Sequence, residues 1–155
     1  MKSYGYDTIA EALGGLIREK LCVVEEEALA FPRAALKKET CPAAAWALET
    51  IVENADIARE KRFFACQDCG VAVVFAYVGR DARLDCDLTE AINEGVRRGY
   101  RDARKSEAHP ITRLNTGDNT PAVIYTEIVN GDGLVIEWMA KGAGSENMSA
   151  VYMLT

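Results

Sequence analysis

The chain has 155 residues, 49% of them apolar and 27% charged, the balance of an ordinary globular domain. Its net charge of −6 argues against nonspecific nucleic-acid binding. No apolar run reaches the ~20 residues that span a bilayer, so no membrane association is expected.

The length suits a single domain over residues 1–155. Met1-Lys2-Ser3-Tyr4-Gly5 leads into no apolar signal core, which favours a cytoplasmic location. The five cysteines, Cys22, Cys41, Cys66, Cys69 and Cys86, are odd in number and irregularly spaced. That pattern suits reduced thiols or metal thiolates better than a disulfide framework.

In chain order, Asp7 is placed to cap a first helix, and Ile9, Leu13, Leu16, Ile17 and Val24 recur at helical spacing. Gly14-Gly15 weakens its middle by about 1 kcal/mol per glycine relative to alanine. Pro32 is expected to end that run and to start another, Arg33 to Glu39. Thr40-Cys41-Pro42 opens a further helix, with proline tolerated in the first turn. Its apolar face, Trp46, Leu48, Ile51, Val52, Ala55 and Ala58, reads as core.

Strand periodicity begins at Val71. Val71 to Val78 is a continuous apolar run, expected to be a strand buried on both faces. Gly79 to Ala82 turns the chain. Asp87-Leu-Thr-Glu90 resembles a capping box and opens a helix expected to run to Lys105. Gly95 and Gly99 lie one turn apart on its apolar face and allow another backbone close to it. Asn115-Thr-Gly-Asp-Asn-Thr-Pro121 is a polar, turn-rich loop. Ala122 to Val129 and Leu134 to Ala140 read as strands of a hairpin closed by Asn130-Gly-Asp-Gly133. The expected fold is therefore α+β: N-terminal helices, then a mainly antiparallel sheet with one helix packed on it.

Three groups of residues carry candidate chemistry. Cys66-Gln67-Asp68-Cys69-Gly70 places a thiol, an amide and a carboxylate at the foot of the strand. One C-x-x-C does not make a four-thiolate zinc site, and a thioredoxin-type pair would open a helix rather than precede a strand. Two buried thiols beside a glycine turn is the alternative reading. Arg97, Arg98, Arg101, Arg104 and Lys105 crowd the expected helix C-terminus, where cations complement the dipole or could capture a small dianion. His109 is the lone histidine; with no nucleophile elbow around any serine, it reads as structural or solvated.

Cys66-Gln67-Asp68-x-Gly70 resembles the cluster-binding motif of the iron–sulfur hydro-lyases of the class I fumarase and L(+)-tartrate dehydratase alpha-subunit type. Ala91 to Tyr100, Arg104-Lys105-Ser106, Asn115 to Ala122 and Lys141 to Ser149 resemble further signatures of that family, in the same order and spacing. The resemblance implies a [4Fe–4S] cluster held by three thiolates, and reversible hydration or dehydration of a C4 dicarboxylate. Cys66 matches a cluster ligand. Gln67 and Asp68 match residues facing the substrate, with Asp68 in a catalytic role. Arg104 matches a carboxylate-binding arginine, and Gly144 matches a residue of the loop lining the site.

The chain departs from the family where threonine usually stands and Cys69 is found. The other two cluster cysteines of family members lie beyond the part that this chain resembles. The resemblance thus implies an N-terminal portion of the catalytic region, completed by a further chain or beta subunit and by homodimerisation. The competing reading is an inactive remnant that at most binds a dicarboxylate or dimerises.

Overall fold

The structure is a computed structural model that describes residues 2–66, 68–103, 105–109, 111–142, 144 and 150–153. The element order is β1 (Ser3–Tyr4), α1 (Tyr6–Lys20), α2 (Glu26–Leu36), α3 (Pro42–Lys61), β2 (Val71–Gly79), β3 (Arg83–Leu84), α4 (Leu88–Gly99), β4 (Val123–Val129) and β5 (Leu134–Lys141). The fold is α+β, with helices first and the main sheet after them. The chain forms two compact units, residues 18–66 and residues 1–17 with 67–155. Among the described residues no helix is long and apolar enough to cross a membrane.

In the smaller unit α2 packs with α3, and Leu29 of α2 and Ala55 and Ala58 of α3 are buried. Pro32 lies inside α2 and does not end a helix. The missing N–H there weakens one turn, yet its neighbours hold. Arg33 reaches Asp56 on α3 at 2.8 Å and Glu26 at 3.4 Å. Pro42 occupies the first turn of α3, as its sequence anticipates. The N-terminal half of that helix departs from expectation: Trp46 is 69% exposed and Ile51 52%. The 11 residues of α2 are too few to cover all 20 of α3.

In the larger unit Asp7 lies within the first turn of α1, one residue inside the helix rather than at its cap. α1 and α4 meet along Gly95 and Gly99. A Cβ on Gly99 would lie 2.5 Å from Ile17 Cβ, and one on Gly95 2.9 Å from Leu13 Cβ. The small residues therefore set the helix–helix distance. Ile92, Val96 and Tyr100 are buried beside them, and the Tyr100 ring meets Trp138 of β5 edge-on at 6.2 Å. Asp87 caps α4 by accepting the Glu90 N–H at 3.1 Å. The helix stops at Gly99, short of the expected Lys105. Lys105 folds back instead, donating to the carbonyls of Arg101 at 2.8 Å and Ala103 at 2.7 Å, and to that of Tyr100.

The main sheet has the order β4-β2-β5. It is mixed rather than mainly antiparallel. β2 pairs parallel with β4 (Val73↔Val123 to Gly79↔Val129) and antiparallel with β5 (Val71↔Lys141 to Val78↔Leu134). The parallel pair follows from the α4 crossover, which returns the chain to the end of the sheet where β2 began. The expected hairpin is likewise corrected: β4 and β5 flank β2 and do not pair with each other. Their connection passes over the end of β2, where Asp81 N–H donates to Gly131 O at 2.9 Å and Gly79 N–H to Gly133 O at 2.7 Å. A Cβ at Gly79 would lie 2.5 Å from the Gly131 carbonyl oxygen, so glycine is what lets the loop cross. As the central strand, β2 buries Ala72, Val73, Val74 and Ala76. The register puts Tyr125 of β4 beside Phe75 of β2, with rings stacked at 5.3 Å. Tyr125, Val123, Val135 and Met139 share one sheet face and are 41–57% exposed.

Candidate active site

The turn before β2 is braced from three sides within the larger unit. Gly70 is buried, and a Cβ there would collide with Ser106 Oγ and lie 3.0 Å from Asn119 Oδ1. Ser106 Oγ donates to the Asp68 carbonyl at 3.4 Å, and the Tyr100 hydroxyl donates to the Cys69 carbonyl at 3.1 Å. Asp68 Oδ2 accepts the Gly144 N–H at 2.8 Å. Asn119, fully buried at φ 61°, accepts the N–H groups of Ser106 at 3.0 Å and Glu107 at 3.2 Å through Oδ1. The loop that carries it is held by its own side chains. Asn115 donates to the Lys105 carbonyl at 2.6 Å and accepts Gly117 N–H at 2.8 Å. Asp118 accepts from Thr120 Oγ1 at 2.7 Å and from Arg97 Nε at 3.1 Å. Residues 68–70, 105–107 and 115–120, with Gly142 and Gly144, thus converge on one place.

These are the stretches in which the family signatures lie. The family model described as "Fumarate hydratase (Fumerase)" matches residues 10–155. The chain belongs to that family. It is 35% identical to the "Putative L(+)-tartrate dehydratase subunit alpha" of Methanocaldococcus jannaschii, over 94% of this chain and 54% of that protein. It is 32% identical to "Fumarate hydratase class I, aerobic" of Escherichia coli K12, over 67% of this chain and 20% of that protein. With "Fumarate hydratase 2" of Leishmania major the identity is 31%, over 68% and 20%. The chain therefore spans about half the length of the first of these relatives and a fifth of the other two.

Within this member of the fumarate hydratase family, the structure joins Asp68 to Gly144, two of the residues singled out by sequence. Asp68 is exposed, and among the described residues its Oδ1 has no hydrogen-bond partner. Gln67 and Arg104 lie outside the described residues. Cys66 is exposed and belongs to the smaller unit. Asn119, Ser106 and Tyr100 had no expected role from sequence, although all three lie within the family-like signatures. A polar asparagine in a turn-rich run was the available signal for the first.

Two of the other arginines, Arg97 and Arg98, are held in ion pairs. Arg97 pairs with Glu94 at 3.2 Å and with Asp118, and Arg98 with Glu94 at 2.8 Å and Asp7 at 3.0 Å. His109 has the expected structural role: its Nδ1 accepts the N–H groups of Ile111 and Thr112, both at 3.2 Å.

Two carboxylates beside the Asn119 loop differ in their titration. Burial, and then the charge of Asp118, pushes the Glu107 carboxyl up to about 7. Its Oε2 is buried and, among the described residues, has no partner. Burial also opposes ionisation of Asp118, but bonds from Thr120 and Arg97 outweigh it and hold that carboxyl below its usual range.

The thiols were tested against the implied cluster. Among the described residues no three His, Cys, Asp or Glu side chains are grouped to hold a metal ion. Cys86 donates to the Tyr4 carbonyl at 3.9 Å, and burial, then Asp87 and Asp85, push its thiol up and away from the thiolate form. Cys22 is buried. The described residues of this chain do not fit a complete three-thiolate set.

Proposed function

We propose that this chain is the N-terminal portion of a [4Fe–4S]-dependent hydro-lyase of the fumarate hydratase or tartrate dehydratase type, acting on a C4 dicarboxylate once a further chain completes it. The observation that carries the reading is the carboxylate of Asp68. One oxygen is fixed by Gly144, and the other is exposed with no partner among the described residues, where a substrate hydroxyl or water can reach it. Asp68 is assigned to hydrogen-bond that hydroxyl and to hold its proton at Oδ1. Gln67 orients the substrate beside it, and Arg104 binds a substrate carboxylate through its planar fork. Cys66 supplies one cluster thiolate. Such a cluster, when bound, would supply Lewis acidity toward the substrate hydroxyl; the other two thiolates are assigned to the completing chain.

The exposed apolar face of Tyr125, Val135 and Met139 suits docking of that completing chain, with a second copy of the whole assembly expected beyond it. Free thiols suit a reducing compartment such as the cytoplasm.

The test is anaerobic reconstitution, followed by iron and sulfide counts and by fumarate absorbance. The chain alone is expected to hold no stable cluster and to turn nothing over. Addition of a chain carrying the two missing cysteines should give both, and Cys66→Ser should remove both. A stoichiometric cluster with turnover from the isolated chain overturns the reading. A completed assembly without cluster or turnover leaves only a dicarboxylate-binding or dimerising module.

A further inference from the structure

We infer that Asn119 is a positioning residue for Asp68, acting through Ser106. The inference rests on the reading of Asp68 as a substrate-facing carboxylate.

Asn119 is a polar side chain with 0% exposure at a backbone φ of 61°, which few residues other than glycine, asparagine and aspartate adopt easily. Burying an amide at such a position is unfavourable unless it is bonded. Its Oδ1 takes two consecutive N–H groups, those of Ser106 and Glu107, and so fixes the backbone at Ser106. Fixed there, Ser106 presents Oγ to the Asp68 carbonyl at 3.4 Å, at the place where Gly70 has no Cβ to obstruct it. The next bond outward is from Gly144 N–H to Asp68 Oδ2 at 2.8 Å. A continuous path of bonded groups therefore runs from a buried amide to an exposed carboxylate. Asp68 sits in an irregular turn before β2, and contacts of this kind are what keep its side chain from wandering.

Two substitutions separate this role from simple support of the loop. Asn119→Gly keeps the positive φ and removes the acceptor, whereas Asn119→Asp keeps both. Amide exchange of the chain is read first. In Asn119→Gly the amides of Ser106 and Glu107, and also that of Gly144, should exchange about ten-fold faster or more, while β2 amides stay protected. Asn119→Asp should resemble wild type. Should Asn119→Gly fail to fold, Ser106→Ala serves in its place. It should speed exchange at Gly144 and leave the Ser106 amide protected.

The second readout is steady-state kinetics with fumarate in the completed enzyme. Asn119→Gly should raise KM roughly ten-fold, with recovery in Asn119→Asp. Unchanged exchange at Gly144 in both Asn119→Gly and Ser106→Ala, or unchanged KM in an active enzyme, overturns the inference. If the completed wild type does not turn fumarate over, the functional reading fails. The Gly144 exchange then still decides whether Asn119 holds Asp68.

Discussion

Glu107→Gln isolates one buried carboxyl and predicts a change in the pH dependence of stability. In the folded chain this group titrates at about 7, raised first by burial and then by the charge of Asp118. Unfolded, it would titrate near 4.5. A carboxyl whose folded value is raised contributes its stability fully below the unfolded value and loses it as pH rises through about 7, because the native state then holds the extra proton. At 1.36 kcal/mol per pH unit the unscreened effect approaches about 3 kcal/mol. The side chain is half-buried, so solvent screening reduces this to about 1–2 kcal/mol. Asp118 stays ionised beside Arg97 and Thr120, so the repulsion persists above neutral pH. Glutamine keeps the shape and carries no charge. Urea unfolding at intervals from pH 4 to pH 8 should show the wild type losing stability between about pH 4.5 and pH 7 and levelling off above, with Glu107→Gln flatter and more stable at pH 8 by about 1–2 kcal/mol. Parallel stability curves for the two proteins would refute the reasoning.

Gly79→Ala should lower stability by about 2 kcal/mol or more, because its Cβ meets the Gly131 carbonyl at 2.5 Å and the Gly133 nitrogen at 2.8 Å; a urea midpoint equal to wild type would contradict the crossing loop. Arg104→Ala in the completed enzyme should lose a charged pair of about 1.5–3 kcal/mol and raise KM for fumarate roughly ten-fold or more. Unchanged kinetics would remove Arg104 from substrate binding. Tyr125→Glu with Met139→Lys should leave the fold intact by circular dichroism and weaken binding to the completing chain at least ten-fold by gel filtration or calorimetry. Undiminished assembly would place the interface elsewhere.

Elements whose cause is local were legible in the sequence. The apolar run from Val71 forms the central strand, Asp87 caps α4 through the Glu90 N–H, and the glycine pair at 95 and 99 receives another helix. Where the cause is tertiary the sequence misled. Asn130-Gly-Asp-Gly133 carries hairpin chemistry, but β2 competes for the same strand edges and gains two partners by entering between them. Pro32 signals a break, yet α2 continues through it while packed on α3. The α4 boundary failed because Lys105, six residues past Gly99, replaces further helical bonds with its own. In the candidate site, Asp68 and Gly144 were legible through motif resemblance. Asn119 was not, because its function depends on which N–H groups its Oδ1 meets, and they lie 13 and 12 residues away in sequence.

The mixed sheet is also what assembles the site. The turn at residues 68–70 lies at the start of β2. Because β4 runs parallel to β2, beginning at the Val73↔Val123 pair, the loop that precedes β4 arrives at that same end and brings Asn119. Because β5 runs antiparallel and finishes at the Val71↔Lys141 pair, the loop that follows it also begins there and brings Gly144. The α4 crossover, ending at Gly99, delivers Tyr100 and then Ser106 to the same turn. In an all-antiparallel meander of β2, β4 and β5, the loop before β4 would open at the far end of the sheet, and Asn119 could not reach Ser106 beside Gly70. The parallel pairing that contradicts the hairpin signal is therefore the feature that places four distant segments around one carboxylate. Breaking the crossing at Gly79 should loosen the Asp68 turn as well as the sheet, and the Gly144 amide in Gly79→Ala would report it.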